Sequence, residues 1–233
     1  MKSIGEEILL PFIYIKLLCF NALEEWKIRR RFYGNPLFKK TDKALQKLYR
    51  FKNPYLISKK FMQKKGEDSV HTYGETPLSV FNTLFNLCHL QKEDRFLDLG
   101  AGRGRGVFFA STFFGCTAMG VDFVPDFYDK AESLAKTLDN PPLFYLEDML
   151  SFDLSKANVI YFYALCMDEA PFLAMISRLE SLEKGTRVIT VSFPLSDYLE
   201  KNLKKNLEKC SLIASATVSY PWGQTTVYVN LLN

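Results

Sequence analysis

Downstream of residue 90 the chain switches regularly between two hydrophobic periods. Short apolar runs of strand length fall at 95–99, 117–122, 142–146, 157–163 and 186–192. Stretches with apolar residues at helical spacing lie between and after them, predicting helices at 104–113, 125–138, 168–183 and 196–207. Two last strands, 211–219 and 224–231, are separated only by Tyr220-Pro221-Trp222-Gly223, too short for a helix and suited to a hairpin. Five strand–helix units closed by a hairpin predict an α/β fold: a Rossmann-like, seven-stranded, mostly parallel sheet with an antiparallel C-terminal hairpin.

Upstream the pattern is helical. Leu78, Phe81, Leu84 and Phe85 recur at helical spacing up to about His89, with Thr76 as the expected N-cap and Pro77 in the first helical position. Gly34-Asn35-Pro36 and Asn53-Pro54 punctuate helical pieces such as 41–51. Residues 8–23 are apolar apart from Lys16 and Asn21. At ~1.5 Å per residue they rise ~24 Å, short of a ~30 Å hydrocarbon core. Glu6 and Glu7 spoil a signal-peptide n-region. This leader is expected as a helix packed on the body, with peripheral membrane contact through residues 8–31 as the alternative. The chain is divided into a basic, mainly helical segment, 1–66, and the α/β domain, 67–233.

The segment richest in chemistry is Asp98-Leu99-Gly100-Ala101-Gly102-Arg103-Gly104-Arg105-Gly106, between the first strand and its helix. Glycines there let backbone approach a ligand, and the helix that follows aims unpaired N–H groups at it. A dinucleotide fingerprint fails in register: from Gly100 its last glycine would be Arg105, and from Gly102 it would be Val107. What fits is an acid two residues ahead of alternating glycines. That carboxylate repels a pyrophosphate and attracts an ammonium and a sulfonium. The pattern resembles class I S-adenosylmethionine (SAM) methyltransferases, and it implies SAM as cofactor.

Three acids fall at successive strand ends, where doubly wound sheets bind ligands. Asp98 is placed to hold a methionyl ammonium. Asp122, 22 residues after Gly100, is placed to accept ribose hydroxyls, and Asp148 the adenine amino group, with Phe123 or Met149 against the ring. Gly100, Gly102 and Gly104 complete the cradle.

Charge divides the chain unevenly. The net charge is +4, yet residues 1–65 hold 16 Lys/Arg against five Asp/Glu. Such an arm suits an anionic partner, nucleic acid or anionic lipid, or else forms a solvated face docked on the acidic body. The five cysteines are scattered without a Cys-x-x-Cys pair, and there are two histidines. No disulfide framework or metal site is expected, and a reducing, cytoplasmic compartment is.

Thr72-Tyr73-Gly74-Glu75-Thr76, one helix ahead of Phe96-Leu97-Asp98-Leu99-Gly100, resembles the disruptor-of-telomeric-silencing family of non-SET histone-lysine methyltransferases. The likeness continues through Asn158-Val159-Ile160-Tyr161-Phe162 and Ser192-Phe193-Pro194 to Trp222-Gly223-Gln224-Thr225-Thr226-Val227-Tyr228, roughly residues 70–230. More distantly the chain is similar to lysine methyltransferases of ATP-synthase c subunits. The resemblance implies that Tyr73, Gly74 and Glu75 fold over the cofactor and that Trp222 and Tyr228 line a channel for a target lysine. Where that family carries paired asparagines, this chain reads Tyr163-Ala164-Leu165-Cys166, so Tyr163 takes their place. Tyr163, Phe193, Trp222 and Tyr228 are therefore the expected aromatic channel, and a protein lysine the expected substrate. The alternatives are a nucleic-acid methyltransferase, a small-molecule methyltransferase and a non-catalytic SAM-binding protein.

Overall fold

The computed structural model describes residues 4–66, 73–163, 167–195 and 210–233. The expected helix 196–207 and the loop 164–166 lie outside the described residues.

Three helices open the chain: α1 (Ile4–Arg31), α2 (Pro36–Leu48) and α3 (Pro54–Lys65). α4 (Leu78–Leu87) leads into β1 (Arg95–Leu99), α5 (Arg105–Phe109), β2 (Thr117–Asp122), α6 (Pro125–Ala135) and β3 (Leu143–Leu146). β4 (Val159–Phe162), α7 (Glu169–Glu180), β5 (Arg187–Val191), β6 (Cys210–Tyr220) and β7 (Gly223–Leu232) complete the order. The seven strands form one sheet in the order β3-β2-β1-β4-β5-β7-β6, with β7 antiparallel to both of its neighbours. The order reverses at β1, between β2 and β4, which puts the ligand crevice at the carboxyl ends of these strands.

Alternation of side chains assigns each strand to two cores. Phe96, Tyr161, Ile189, Val227 and Val229 face α4, α5 and α6, while Leu97, Ile160, Phe162 and Val188 face α7. The first core continues across residue 66 without a break. Ile28, Phe32, Phe38 and Leu45 are buried in it, and Phe38 and Phe32 meet the Phe109 ring at 5.0 and 4.9 Å.

Polar seams fix this docking. Asn35 and Asn53 cap α2 and α3 by accepting from Phe38 N and Tyr55 N, each with proline next in sequence. Asn35 Nδ2 also donates to the Thr112 carbonyl at 3.2 Å, inside the π-helical turn Ala110–Phe114 that continues α5. The helical piece expected at 41–51 thus starts at Pro36 and ends at Leu48, because the cap lies at Asn35. Thr76 does not cap α4. Pro77 stands at the cap position without a side-chain bond, and the Glu24 carboxylate from α1 accepts from Ser79 N and Ser79 Oγ, both at 2.8 Å.

α1 differs from the expected leader. It docks from Glu24 onward, and Tyr14, Ile15 and Leu18 are 62%, 56% and 50% exposed rather than packed on the body. Its 28 residues rise ~42 Å, so the first turns run past the residues it packs against. No helix among the described residues is long and apolar enough to cross a membrane.

Candidate active site

A cavity of about 370 Å³ opens at the carboxyl ends of β1, β2 and β4, within the range of small-ligand pockets. Eleven of the sequence-predicted residues line it: Tyr73, Gly74, Glu75, Asp98, Gly100, Gly102, Asp122, Phe123, Asp148, Met149 and Tyr163. Gly104 lies just behind, as the residue before α5.

The glycine turn is built as its sequence requires. Gly100, Gly102 and Gly104 have φ of +80°, +53° and +75°, values that disfavour any side chain. Contact matters as much as conformation. A Cβ on Gly102 would stand 2.8 Å from Tyr73 Cε2, so the Tyr73 ring lies directly on the turn. Tyr73 is held there by the Tyr55 and Phe127 rings at 5.1 and 5.0 Å. Its hydroxyl donates to Glu75 Oε1 at 2.6 Å, and Glu75 Oε2 pairs with the Arg103 guanidinium. The Tyr-Gly-Glu loop and the turn are thereby locked as one wall. Arg103 Nε remains buried without a hydrogen-bond partner.

Asp98 and Asp122 supply the charge. Asp98 sits in β1 beside Gly120 of β2 and Tyr161 of β4, and it is buried. Burial, then the nearby Asp122 charge, push its carboxyl up to about 7. Asp122 Oδ2 accepts from Gly102 N at 2.7 Å and Oδ1 from Val124 N at 2.8 Å. Burial raises its carboxyl to about 6, against the lowering pull of those N–H groups. A cation or hydroxyl donor entering the cavity relieves both desolvated acids. Asp148 is on the exposed rim, where Oδ1 accepts from Leu150 N at 2.8 Å.

Beside Asp98 is a wall of tyrosines. Thr76 Oγ1 and Tyr161 Oη are 2.5 Å apart, with Tyr220 Oη 3.4 Å from the same Thr76 oxygen. Burial holds the Tyr161 phenol well above its ordinary range, so it stays neutral. The Tyr163 ring lies 6.0 Å from Tyr220, on which Trp222 stacks at 5.1 Å.

Trp222, Tyr228 and Phe193 do not line the cavity. Trp222 is 53% exposed and only extends the tyrosine row outward. Tyr228 fails on strand parity: Val227 and Val229 share the core of Tyr161, so the residue between them leaves from the opposite face. Phe193 packs on Phe172 of the α7 core at 5.1 Å.

Ser58, Met62 and Lys65 of α3 also line the cavity, with Phe61 against Phe123 at 5.5 Å and Lys65 Nζ 4.8 Å above the Phe123 ring. Their spacing of four and three residues marks one face of a helix, a signal present in the sequence. Arg105, at the start of α5, reaches from the cavity wall to the arm. Its Nε and Nη2 donate to the two oxygens of buried Asp42 at 2.8 and 3.0 Å, and it pairs with Glu25 at 2.8 Å. Burial works to lower the Arg105 guanidinium, and Asp42 and Glu25 more than reverse it. Among the described residues no group of three or more His, Cys, Asp or Glu side chains is arranged to hold a metal ion.

These residues fit SAM: glycines at positive φ with open space over Gly100, buried Asp98 and half-buried Asp122 for its cationic and hydroxyl groups, and an unsatisfied guanidinium nitrogen on Arg103. Comparison with known proteins bears on the same elements. The family described as histone methylation protein DOT1 matches residues 57–160, from α3 to the middle of β4. A relative from Dictyostelium discoideum, "Histone-lysine N-methyltransferase, H3 lysine-79 specific", is 24% identical over 197 residues, covering 78% of this chain. The chain spans 10% of the length of that relative. Among solved structures, an RNA methyltransferase from Salinibacter ruber in complex with S-adenosyl-L-homocysteine is 25% identical, with a TM-score of 0.51 over 68% of this chain and 93% of that one. Magnesium protoporphyrin IX methyltransferase from Synechocystis, with bound SAM, is 16% identical, with a TM-score of 0.53 over 78% and 98%. The chain has the fold of the class I SAM-dependent methyltransferases and resembles the DOT1 histone methylation family.

Proposed function

We propose that the protein is a SAM-dependent protein-lysine N-methyltransferase. The observation that carries this reading is the Tyr73-Gly74-Glu75 loop lying on the glycine turn, beside buried Asp98, half-buried Asp122 and a tyrosine wall. The cofactor, when bound, supplies a methyl group activated by a sulfonium. Asp98 would face its positive charge and Asp122 would accept hydrogen bonds from its hydroxyls. Gly100 and Gly102 would let the cofactor approach the backbone, and Tyr73 would cover the turn beside it.

The acceptor side is read from Thr76, Tyr161 and Tyr163. A lysine must lose its proton before it can attack, and desolvation against aromatic rings lowers its pKa toward that state. The neutral Tyr161 and Thr76 hydroxyls offer the amine hydrogen-bond partners without adding charge. Positioning of a desolvated nucleophile accounts for most of the expected rate gain. Trp222, through its stack on Tyr220, is assigned to the outer end of this row. Of this acceptor wall, Thr76 lies within the DOT1 match and Tyr161 and Tyr163 lie beyond its end at residue 160.

A nucleic-acid substrate is the second reading, favoured by the Salinibacter ruber relative and by Lys65 at the cavity. Radiolabelled SAM, the full chain and substrate lysate distinguish the two. The expected result is label in protein that protease removes, with methyl-lysine in the labelled band by mass spectrometry. Label that survives protease and is lost to nuclease would overturn the lysine assignment.

A further inference from the structure

Among the described residues, the apolar side chains of α1 from Tyr14 to Trp26 are largely uncovered. Tyr14, Ile15, Leu17, Leu18, Leu23 and Trp26 are all exposed. At about 100° per residue they leave no gap wider than roughly 120° around the helix. A protein groove needs one apolar stripe, whereas apolar side chains on all sides require immersion.

Charge then narrows the medium. Lys27, Arg29, Arg30 and Arg31 follow at the C-terminal end and are exposed, with the Arg30 guanidinium 5.3 Å over the Trp26 ring. The acids closest to them are consumed inward: Glu24 on Ser79, Glu25 and Asp42 on Arg105. The outer surface at this end of the arm is therefore cationic beside apolar, which is the complement of an anionic lipid surface.

We propose that α1 is an interfacial membrane helix that seats the protein on an anionic bilayer. Its apolar segment of ~24 Å is too short to span, and charged residues flank it at Glu6, Glu7 and Arg29–Arg31. The apolar turns enter the bilayer surface at a slant and are immersed below the headgroups, Arg29–Arg31 stay at headgroup level, and Lys16 reaches up along its own stem. Ile28 and Phe32 anchor the other end in the core, which holds the catalytic body close to the surface.

Flotation of the full chain with vesicles tests this. Phosphatidylcholine vesicles containing about a third phosphatidylglycerol should recruit the protein in a salt-sensitive way, and pure phosphatidylcholine at least ~10-fold more weakly. Ile15→Glu with Leu18→Glu should reduce recruitment by at least ~30-fold, from loss of two inserted side chains. Its thermal transition should match the parent, because both positions are exposed. In a Trp222→Phe background, Trp26 emission should shift to the blue on adding anionic vesicles. Three results would overturn the proposal. One is an absence of recruitment, and another is recruitment unchanged by the double substitution. The third is vesicle-independent dimerisation in sedimentation, abolished by that substitution, which would make the occupant a second copy of the chain.

Discussion

Arg105→Met should unseat the arm from the cofactor turn. In the native fold the Asp42 side chain is 0% exposed and takes two bonds from Arg105, with Tyr33 Oη and Gln46 Nε2 each donating at 2.9 Å. Removing the guanidinium leaves a buried carboxylate with two neutral donors, a change that costs ~3–5 kcal/mol. Glu25, about a third exposed, adds little. For a chain of this size, at ~2–4 °C per kcal/mol, Tm should fall by roughly 6–20 °C. Pairing the substitution with Asp42→Asn should recover more than half, because a neutral amide needs no counter-ion, and the double-mutant cycle should give a coupling of at least ~2 kcal/mol. Because Arg105 opens α5, SAM affinity should weaken on the order of 10-fold, a loss of ~1.4 kcal/mol. Urea and thermal unfolding of the four proteins, with calorimetric SAM titration, measure all of this. A loss under ~1 kcal/mol, or a coupling near zero, would refute the ionic seam and leave apolar packing alone to dock the arm.

Two further predictions concern the cavity. Asp98 and Asp122, at about 7 and 6 when folded, lie above the ~3.9 of an unfolded aspartate, so folding favours their protonated forms. Their contribution to the ligand-free protein is fully present below pH ~4 and is lost as pH rises through 6 and 7. The increment in Tm from saturating SAM should grow across that same interval as the acids ionise, and a pH-independent increment would count against these acids as the cation site. Gly102→Ala should weaken SAM binding at least ~10-fold, since the new methyl displaces Tyr73 as well as straining the backbone. Gly66→Ala, at φ +75° with open space around it, meets the same backbone strain without the clash and should leave affinity unchanged. Equal calorimetric affinities for the two variants would remove Tyr73 from the site.

The parallel strands were the most legible part of the chain, because burial on both faces leaves continuous apolar runs with glycine and aspartate at their ends. β1 and β2 match their expected bounds at 95–99 and 117–122. The glycine turn was legible for a related reason: only glycine takes three positive φ values within five residues. What escaped was long-range partnership. Thr76-Pro77 satisfies the local capping rule, yet Thr76 spends its hydroxyl on Tyr161, 85 residues away, and Glu24 caps the helix from α1. Tyr228 shares a strand with core valines, and its parity became visible only through the register with β5. The arm read as a separate basic segment, because its lysines dominate the composition while Phe32, Phe38 and Asp42 do the docking.

Calorimetric titration of SAM into the full chain at pH 8, alongside Asp98→Asn and Asp122→Asn, tests the centre of this account most directly. Saturable one-to-one binding, weakened at least ~10-fold by each substitution, is the predicted result, a loss of ~1.4 kcal/mol or more. Absence of binding in the parent protein, or affinities that both variants leave untouched, would contradict it.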